Sequence, residues 1–237
     1  MYNVLLIDLD DTLVDYAKTE LTALSYIYEK FFRHLSPNHR FDDFNNEFRL
    51  QNATLWHNYR AGNIKIQALR VERFKALAKK FPHGEDINCI VDEYEQCIST
   101  CVYLFKDSLQ FLQSTALNYK LCIATNGIAK IQRNKLTTLN IMNYFSNIFI
   151  SEEIGYNKPD PLFFESILQN LAVDNKQVLM IGDSLDSDLI GASKAGIHFC
   201  WINRTHIPLP RHYPSPTYTY NSLKALKKFF TLTKSLS

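Results

Sequence analysis

Five short apolar runs, each ending in polar or acidic residues, constrain the fold of this chain more than any other feature. They cover residues 4–7, 121–124, 148–150, 178–181 and 199–202. Apolar and polar residues do not alternate within the runs, which predicts strands buried on both faces, as in a parallel sheet covered by helices. Amphipathic segments between the later runs predict the covering helices, at roughly 107–117, 129–140, 160–171 and 186–195. The sequence therefore predicts an α/β protein.

The stretch from residue 15 to residue 105 has a different pattern, with apolar residues at helical spacing and no strand-like run. We predict about four helices there, forming a bundle inserted after the first strand. The predicted organisation is a parallel-sheet core of residues 1–14 and 106–237 with an all-α cap of residues 15–105. A cap at this point of the chain would lie over the carboxyl ends of the strands, where ligands of open parallel sheets bind, and would act as a lid.

The pattern of the last part of the chain predicts one more strand at the edge of the sheet and a final helix. Residues 217–220 are expected to form an edge strand, and Ser222 is expected to cap a final helix that ends near Phe230.

Composition excludes several classes of protein. The chain carries 26 Lys and Arg against 24 Asp and Glu, a net charge of +2, whereas general nucleic-acid binders need a basic surplus. No apolar stretch approaches the roughly 18 residues of a membrane span, and the amino terminus lacks a secretory-signal pattern. The 5 cysteines include no C-x-x-C pair, which indicates reduced thiols. We therefore expect a cytoplasmic protein without nucleic-acid or membrane partners, a monomer or a weak homo-oligomer.

Two acids, Asp8 and Asp10, follow the first apolar run. Residues two apart on an extended chain point to the same side, about 6.6 Å from each other. Converging carboxylates repel unless a cation or a proton lies between them, and Mg²⁺ prefers such oxygen ligands. An isolated pair of this kind is more often only a polar turn, so the other strand ends decide between the two interpretations.

The ends of the other runs supply complementary groups. Asp183 follows the fourth run and completes a carboxylate set for a metal, while Asp188 lies five positions further on, where it would orient a ligand or a water. Thr125 and Asn126 follow the second run and offer donors for phosphate oxygens at an expected helix start. Lys158 precedes another expected helix and would neutralise a phosphoryl dianion. Together these groups predict a site for a phosphorylated ligand.

These motifs, in this order and spacing, resemble the haloacid dehalogenase (HAD) superfamily of phosphatases. The motifs are D-x-D-x-T at positions 8–12, Thr125 in A-T-N-G, Lys158, and G-D-x4-D at positions 182–188. The resemblance implies a Rossmann-like core with an all-α cap and a two-step phosphoryl transfer that requires Mg²⁺. The family pattern makes Asp8 the nucleophile and Asp10 the acid and base, with the metal held by Asp8, the backbone carbonyl of Asp10, and Asp183.

The resemblance assigns the remaining motif residues as well. The phosphate would be bound by Thr125, Asn126 and Lys158, with Thr12 and Asp188 supporting these groups from behind. An aspartate at position 10 also matches the phosphatases of the superfamily, whereas its dehalogenases differ there.

Segments 55–64, 73–74, 150–155 and 200–203 resemble the bacterial pyrimidine 5′-nucleotidase group. This finer resemblance implies a small phosphorylated metabolite as the partner, most simply a nucleoside monophosphate. Alternatives are another small-metabolite phosphatase acting on phosphoglycolate or a sugar phosphate, a phosphosugar mutase, and, least favoured, a non-catalytic module that binds phosphorylated ligands.

Substrate contacts in the cap are predicted at Trp56, Tyr59 and Arg60, which suit stacking on a base or bonding to it. Packing within the bundle is the competing interpretation, and we favour it for Trp56. Arg73 is interpreted as a helix-surface or salt-bridging residue. No histidine is predicted to bind a metal.

Overall fold

The computed structural model describes residues 2–35 and 40–234 and contains a six-stranded sheet in the order β3-β2-β1-β4-β5-β6. All neighbouring strands pair in parallel, so the predicted α/β class is confirmed. The strands are β1 Val4–Ile7, β2 Lys120–Thr125, β3 Asn147–Ile150, β4 Val178–Gly182, β5 His198–Ile202 and β6 Tyr218–Tyr220. Each predicted run forms a strand, and the expected edge strand is β6.

The sheet is buried on both faces because helices pack against each of them. Leu5 and Ile7 of β1 belong to one apolar cluster, whereas Val4 and Leu6 belong to another on the opposite face. The covering helices are α5 Ser108–Thr115, α6 Ala129–Thr138, α7 Ser151–Ile154, α8 Pro161–Leu171, α9 Ile190–Lys194 and α10 Leu223–Lys234. This two-sided burial explains why the runs lack alternation.

The carboxyl-terminal helix starts as predicted but ends later. The Ser222 hydroxyl accepts a hydrogen bond from the Ala225 amide at 3.2 Å, as expected of a capping residue. The helix continues to Lys234 rather than ending near Phe230. Neither glycine nor proline follows Phe230, so no strong stop signal interrupts the helix there.

Four α-helices of the described residues lie between β1 and α5 and form the bundle, the number expected for the cap. They are α1 Tyr16–Ile27, α2 Phe41–Arg60, α3 Ile66–Ala78 and α4 Ile87–Thr100, and α1 is extended by a π-helical turn at Tyr28–Phe32. Aromatic side chains dominate the interior of this bundle, with Phe48, Phe74 and Tyr94 in mutual ring contact at centroid distances of 5.1–5.6 Å. The bundle thus has an apolar core of its own, separate from the two clusters on the sheet.

Two chain segments connect the bundle to the sheet, and they run side by side. Val14 and Leu104 form an antiparallel bridge. Hydrogen bonds extend it on both sides, from the Asp15 amide to the Tyr103 carbonyl at 2.8 Å and from the Phe105 amide to the Leu13 carbonyl at 3.0 Å. We call this two-stranded element, residues 13–15 with 103–105, the connecting ladder. The cap limits of residues 15 and 105 stay a prediction.

Asp15 lies where the connecting ladder passes into α1 and caps that helix. Its carboxylate accepts a hydrogen bond from the Lys18 amide at 3.0 Å, which satisfies one of the free N–H groups of the first turn. Over the described ranges 2–35 and 40–234, no helix has both the length and the apolar character needed to cross a membrane.

Candidate active site

A cavity of about 230 Å³ lies between the carboxyl edge of the sheet and the helical cap. The loops after β1, β2, β3 and β4 form one side, which we call the core wall. The predicted site residues that the structure brings together on this wall are Asp8, Asp10, Thr125, Asn126, Lys158 and Asp183. Residues far apart in the sequence meet there because the four strands are neighbours in the sheet and all point the same way.

Lys158 is the electrostatic centre of the core wall. Its buried Nζ donates hydrogen bonds to Asp8 Oδ1 at 2.7 Å, Asp188 Oδ1 at 2.6 Å and the Ala124 carbonyl at 2.8 Å. Burial by itself would lower the pKa of Lys158, but the carboxylates of Asp188 and Asp8 outweigh burial and raise it above its usual value. The ammonium therefore stays charged beside the two acids.

Three carboxylates cluster next to this ammonium. Asp8, Asp183 and Asp188 each place an oxygen within 4.8 Å of the other two. Burial, reinforced by the neighbouring acids, raises the pKa of Asp8 to about 7 despite the opposing effect of Lys158, and it raises the pKa of Asp183 well above its usual value. A divalent cation would offset this repulsion with ligands of the type that Mg²⁺ prefers, so the residues fit the expected metal.

Asp10 has partners that the sequence did not suggest. Lys135 Nζ contacts both of its carboxylate oxygens, at 2.7 and 2.8 Å, and Gln132 Nε2 donates to Oδ2 at 3.1 Å. Both partners belong to α6 and are almost fully buried. We call this pair of contacts, from Lys135 and Gln132, the fork around Asp10. The fork fixes the orientation of the Asp10 side chain and places a cation next to it.

Gln132 also reaches the second predicted phosphate-binding region. Its Nε2 donates to Thr125 Oγ1 at 2.8 Å and to the Asn126 carbonyl at 3.1 Å. Gln132 and Lys135 are three residues apart and therefore share a helix face. Ile131 and Leu136, beside them, are buried as well. In the sequence, Gln132 and Lys135 lie between apolar residues on the same helix face, shortly after the loop that follows β2. This pattern could have identified them as residues that face the site.

Asn126 contacts the main chain of the lysine loop. Its Nδ2 donates to the Lys158 carbonyl at 2.9 Å, and its Oδ1 accepts from the Lys158 amide at 2.9 Å. The side-chain amide is thus fully engaged with the main chain of Lys158. The amide thus holds the lysine loop in place, Asn126 still lines the cavity, and its contact with phosphate stays a prediction.

Thr12 and Asp188 were both predicted to support the site from behind, but Asp188 is itself one of the three clustered carboxylates, whereas Thr12 contacts the cluster from outside. Thr12 Oγ1 donates to Asp183 Oδ1 at 3.1 Å, and Asp188 Oδ2 accepts from the Ser184 amide at 3.2 Å. Asp188 packs so closely on β4 that a Cβ added to Gly182 would lie 2.1 Å from its Oδ2. Any side chain at position 182 would therefore displace this carboxylate.

The opposite side of the cavity, the cap wall, is mostly apolar. Trp56 and Arg60, two of the predicted cap contacts, line the cavity together with Leu69 and Ile98. Tyr59 lies elsewhere, with a buried ring and its hydroxyl within 3.1 Å of Ser151 Oγ. The prediction of Tyr59 as a substrate contact is therefore wrong, because the pitch of α2 turns it away from its neighbours and toward α7.

Arg73 also departs from the sequence-based interpretation. It is only 3% exposed and lines the cavity, whereas a surface or salt-bridging position was expected. The helix periodicity of α3 places it next to Leu69 and Phe74 on the buried side. Sequence alone gives no reason to expect a buried arginine at this point.

Two proteins named as pyrimidine 5′-nucleotidases are similar to this chain over nearly its whole length. Over 95% of this chain and 93% of the relative, it is 33% identical to the pyrimidine 5′-nucleotidase PynA of Streptococcus pneumoniae. It is 28% identical to the pyrimidine 5′-nucleotidase YjjG of Escherichia coli, covering 93% and 94% of the two chains.

The fold has solved counterparts. The crystal structure of the HAD-hydrolase YfnB of Bacillus subtilis, bound to magnesium, superposes with a TM-score of 0.84 at 26% identity, covering 96% of this chain and 98% of that one. The L-2-haloacid dehalogenase of Xanthobacter autotrophicus shares the fold with a TM-score of 0.77 at 15% identity, covering 98% and 99%. The family model for haloacid dehalogenase-like hydrolases matches residues 5–202, and the chain belongs to this family.

Proposed function

We propose that this hydrolase is a Mg²⁺-dependent phosphomonoesterase that acts on nucleoside 5′-monophosphates, with pyrimidine nucleotides as the favoured class. The observation that carries the proposal is the core wall itself, where two acids two residues apart each bond to a buried lysine, beside further carboxylates around one cavity. The similarity to PynA and YjjG over nearly the whole chain supports the choice of nucleotide substrates.

In the proposed reaction, a carboxylate oxygen of Asp8 attacks phosphorus while the ester oxygen leaves with a proton from Asp10. An aspartyl-phosphate and a free alcohol result. Asp10 then takes a proton from water, whose oxygen attacks the same phosphorus and releases inorganic phosphate and the Asp8 carboxylate. Lys135 fixes the Asp10 side chain that must serve both steps, and the proton that Asp10 takes from water in the second step is the one it gives to the next ester oxygen.

A carboxylate attacks a phosphate dianion only where positive charge offsets the repulsion between them. Lys158 supplies one such charge at 2.7 Å from Asp8, and Thr125 adds a hydroxyl on the same wall. Asp8, Asp183 and the backbone carbonyl of Asp10 would hold Mg²⁺, with Asp188 behind them. When bound, the cation would neutralise phosphate oxygens and the carboxylate cluster together.

The experiment that tests the proposal is phosphate release by the purified protein from a panel of esters, with Mg²⁺ and with excess EDTA. The panel contains uridine, thymidine and adenosine 5′-monophosphates, ribose 5-phosphate, glucose 6-phosphate and phosphoglycolate. We expect the highest kcat/KM with the pyrimidine nucleotides and no turnover with EDTA.

The products separate the remaining alternatives. Inorganic phosphate as the main product agrees with a phosphatase, whereas isomerised sugar phosphate without phosphate release would identify a mutase. Failure to release phosphate from every ester in the presence of Mg²⁺ would contradict catalysis altogether and favour a module that binds phosphorylated ligands.

A further inference from the structure

Arg73 on the cap wall is a buried charge whose neighbours are mainly aromatic rings. Its guanidinium carbon lies 4.5 Å from the ring centroid of Tyr94, 5.5 Å from that of Phe74 and 5.8 Å from that of Phe48. Within residues 2–35 and 40–234, its Nε is buried and has no hydrogen-bond partner. A nearly inaccessible cation held against ring faces therefore retains unused hydrogen-bonding capacity.

The acid Glu20, whose charge interacts with that of Arg73, does not use that capacity. Its carboxylate Oε1 instead accepts from Asn52 Nδ2 at 3.2 Å and from the Tyr94 hydroxyl at 3.5 Å. Burial raises the pKa of Glu20, and the field of Arg73 opposes that rise. Among the described residues, no ion pair within 4.0 Å joins the two side chains, so Glu20 balances the charge of Arg73 only at a distance.

A buried guanidinium without hydrogen-bond partners destabilises the folded state, because hydrogen bonds do not offset the loss of hydration of its charge. Arginine has only donors, so the missing partner must be an acceptor. Arg73 lines the same cavity as Asp8 and Lys158. A ligand with its phosphate at the core wall therefore extends toward a cap wall that offers hydrogen-bond donors.

The rest of the cap wall indicates the shape of that ligand. Trp56, Leu69 and Ile98 flank the cavity with apolar surface, which suits a flat ring better than a short charged group. A ring with an oxygen acceptor at its edge satisfies both requirements. The apolar faces would contact the ring, and the guanidinium would meet its edge.

We propose that Arg73 determines substrate specificity by donating hydrogen bonds to a carbonyl oxygen on the ring of the leaving group. The inference rests on the proposed function and adds to it the chemical feature that the cap recognises. A pyrimidine base carries such ring carbonyls, whereas a sugar phosphate or phenyl phosphate carries none.

The test compares two esters in the wild type and in Arg73→Met, both with Mg²⁺. Uridine 5′-monophosphate has ring carbonyls, and phenyl phosphate has a flat ring without them. We expect kcat/KM of Arg73→Met for the nucleotide to fall about 30-fold, as for loss of a hydrogen bond to a charged group, and kcat/KM for phenyl phosphate to change less than about twofold. A role limited to packing would lower both values together.

Two further variants keep the test interpretable. Arg70→Met changes an arginine of the same helix whose guanidinium is paired with Glu95 at 2.6 Å, and it should leave both kcat/KM values unchanged. Arg73→Lys keeps the charge without the planar fork and should show an intermediate loss with the nucleotide alone. Because the Nε of Arg73 has no partner among the described residues, Arg73→Met should unfold near the wild-type temperature.

The outcomes separate this inference from the proposed function. Full nucleotide turnover by Arg73→Met and Arg73→Lys would overturn the inference and leave the nucleotidase intact. A wild-type protein that hydrolyses phenyl phosphate but not the nucleotide would overturn both. If the wild type prefers phosphoglycolate, Arg73 would bind a carboxylate instead of a ring carbonyl, and the inference would likewise be overturned.

Discussion

The two walls of the cavity hold their charges in opposite ways. On the core wall, Lys158 bonds to Asp8 and Asp188, and Lys135 bonds to both oxygens of Asp10. On the cap wall, Arg73 contacts rings, and its Nε is unpartnered within the described part of the chain.

The difference teaches where each task of the enzyme is performed. Paired charges keep reacting groups in fixed positions before any ligand arrives, which is what phosphoryl transfer requires. An unpaired donor instead gains its partner only when a suitable ligand binds, which makes binding selective. Changes to the core wall should therefore affect every ester alike, whereas changes at Arg73 should discriminate between esters.

The largest effect is expected from Asp8→Asn. The amide cannot serve as the nucleophile, so turnover should fall at least about 10⁴-fold with uridine 5′-monophosphate and phenyl phosphate alike. Phosphate release measures this loss, and circular dichroism checks that the fold is retained. Asp186→Asn is the matched control, since Asp186 is an exposed acid that bonds to Tyr213. Substantial turnover by Asp8→Asn would remove Asp8 from the mechanism.

Lys158→Met should be the most destabilising of these changes. It leaves the buried carboxylates of Asp8 and Asp188 without their shared cation, and the free energy of unfolding should fall by about 3–5 kcal/mol. Urea denaturation in EDTA measures the loss, and added Mg²⁺ should recover part of it. Lys176→Met, at an exposed lysine, should change little. Equal stability of the two variants would show that the core wall does not depend on this ammonium.

Lys135→Met tests whether the fork around Asp10 matters for the reaction. With only Gln132 left to orient Asp10, kcat should fall about 100-fold for both esters, within the range of acid–base contributions. Initial rates over a range of pH measure the loss and its pH dependence. Lys130→Met, on an exposed position of the same helix, should behave like the wild type. A loss limited to the nucleotide would instead make Lys135 a binding residue for the leaving group.

Asp15→Ala should have the smallest effect and lies outside both walls. Loss of the cap on α1 should lower the free energy of unfolding by about 1 kcal/mol and leave both kcat/KM values within about twofold of the wild type. Thermal unfolding and phosphate release measure the two quantities. A marked change in kcat/KM would mean that the start of α1 affects the cavity, and the contrast between the two walls would then extend to the connecting ladder.

The core wall was largely accessible to sequence reasoning, whereas the cap wall was not. Buried parallel strands leave a strong local pattern, and their carboxyl ends meet by topology alone, so Asp8, Thr125 and Asp183 were predictable as neighbours. Lys135 and Gln132 were missed because a polar residue on an amphipathic helix is normally exposed. The apolar residues beside them mark the inward face of α6, but only its packing over the loop after β1 shows which acid they contact.

In the cap, the sequence predicts the positions of side chains even less well. Tyr59 and Arg60 are adjacent in sequence, yet one is buried against Ser151 and the other lines the cavity. Arg73 becomes distinctive only through the absence of a partner, which depends on the arrangement of three helices. Contacts across a helical bundle depend on crossing angles and side-chain shapes, and the hydrophobic periodicity of the sequence predicts neither of them.

The connecting ladder has a consequence for how the two walls meet. Because the segments at residues 13–15 and 103–105 are hydrogen-bonded to each other, the two covalent links between core and cap lie side by side, while α2 and α4 make further contacts with α7 and α6. Arg204 braces the connecting ladder, with its guanidinium 3.8 Å from the Phe105 ring centroid and a hydrogen bond to the Thr12 carbonyl at 3.0 Å. Both covalent links between the core and the cap therefore share one place, and any change in the span from Arg73 to Asp8 would bend the chain at the connecting ladder.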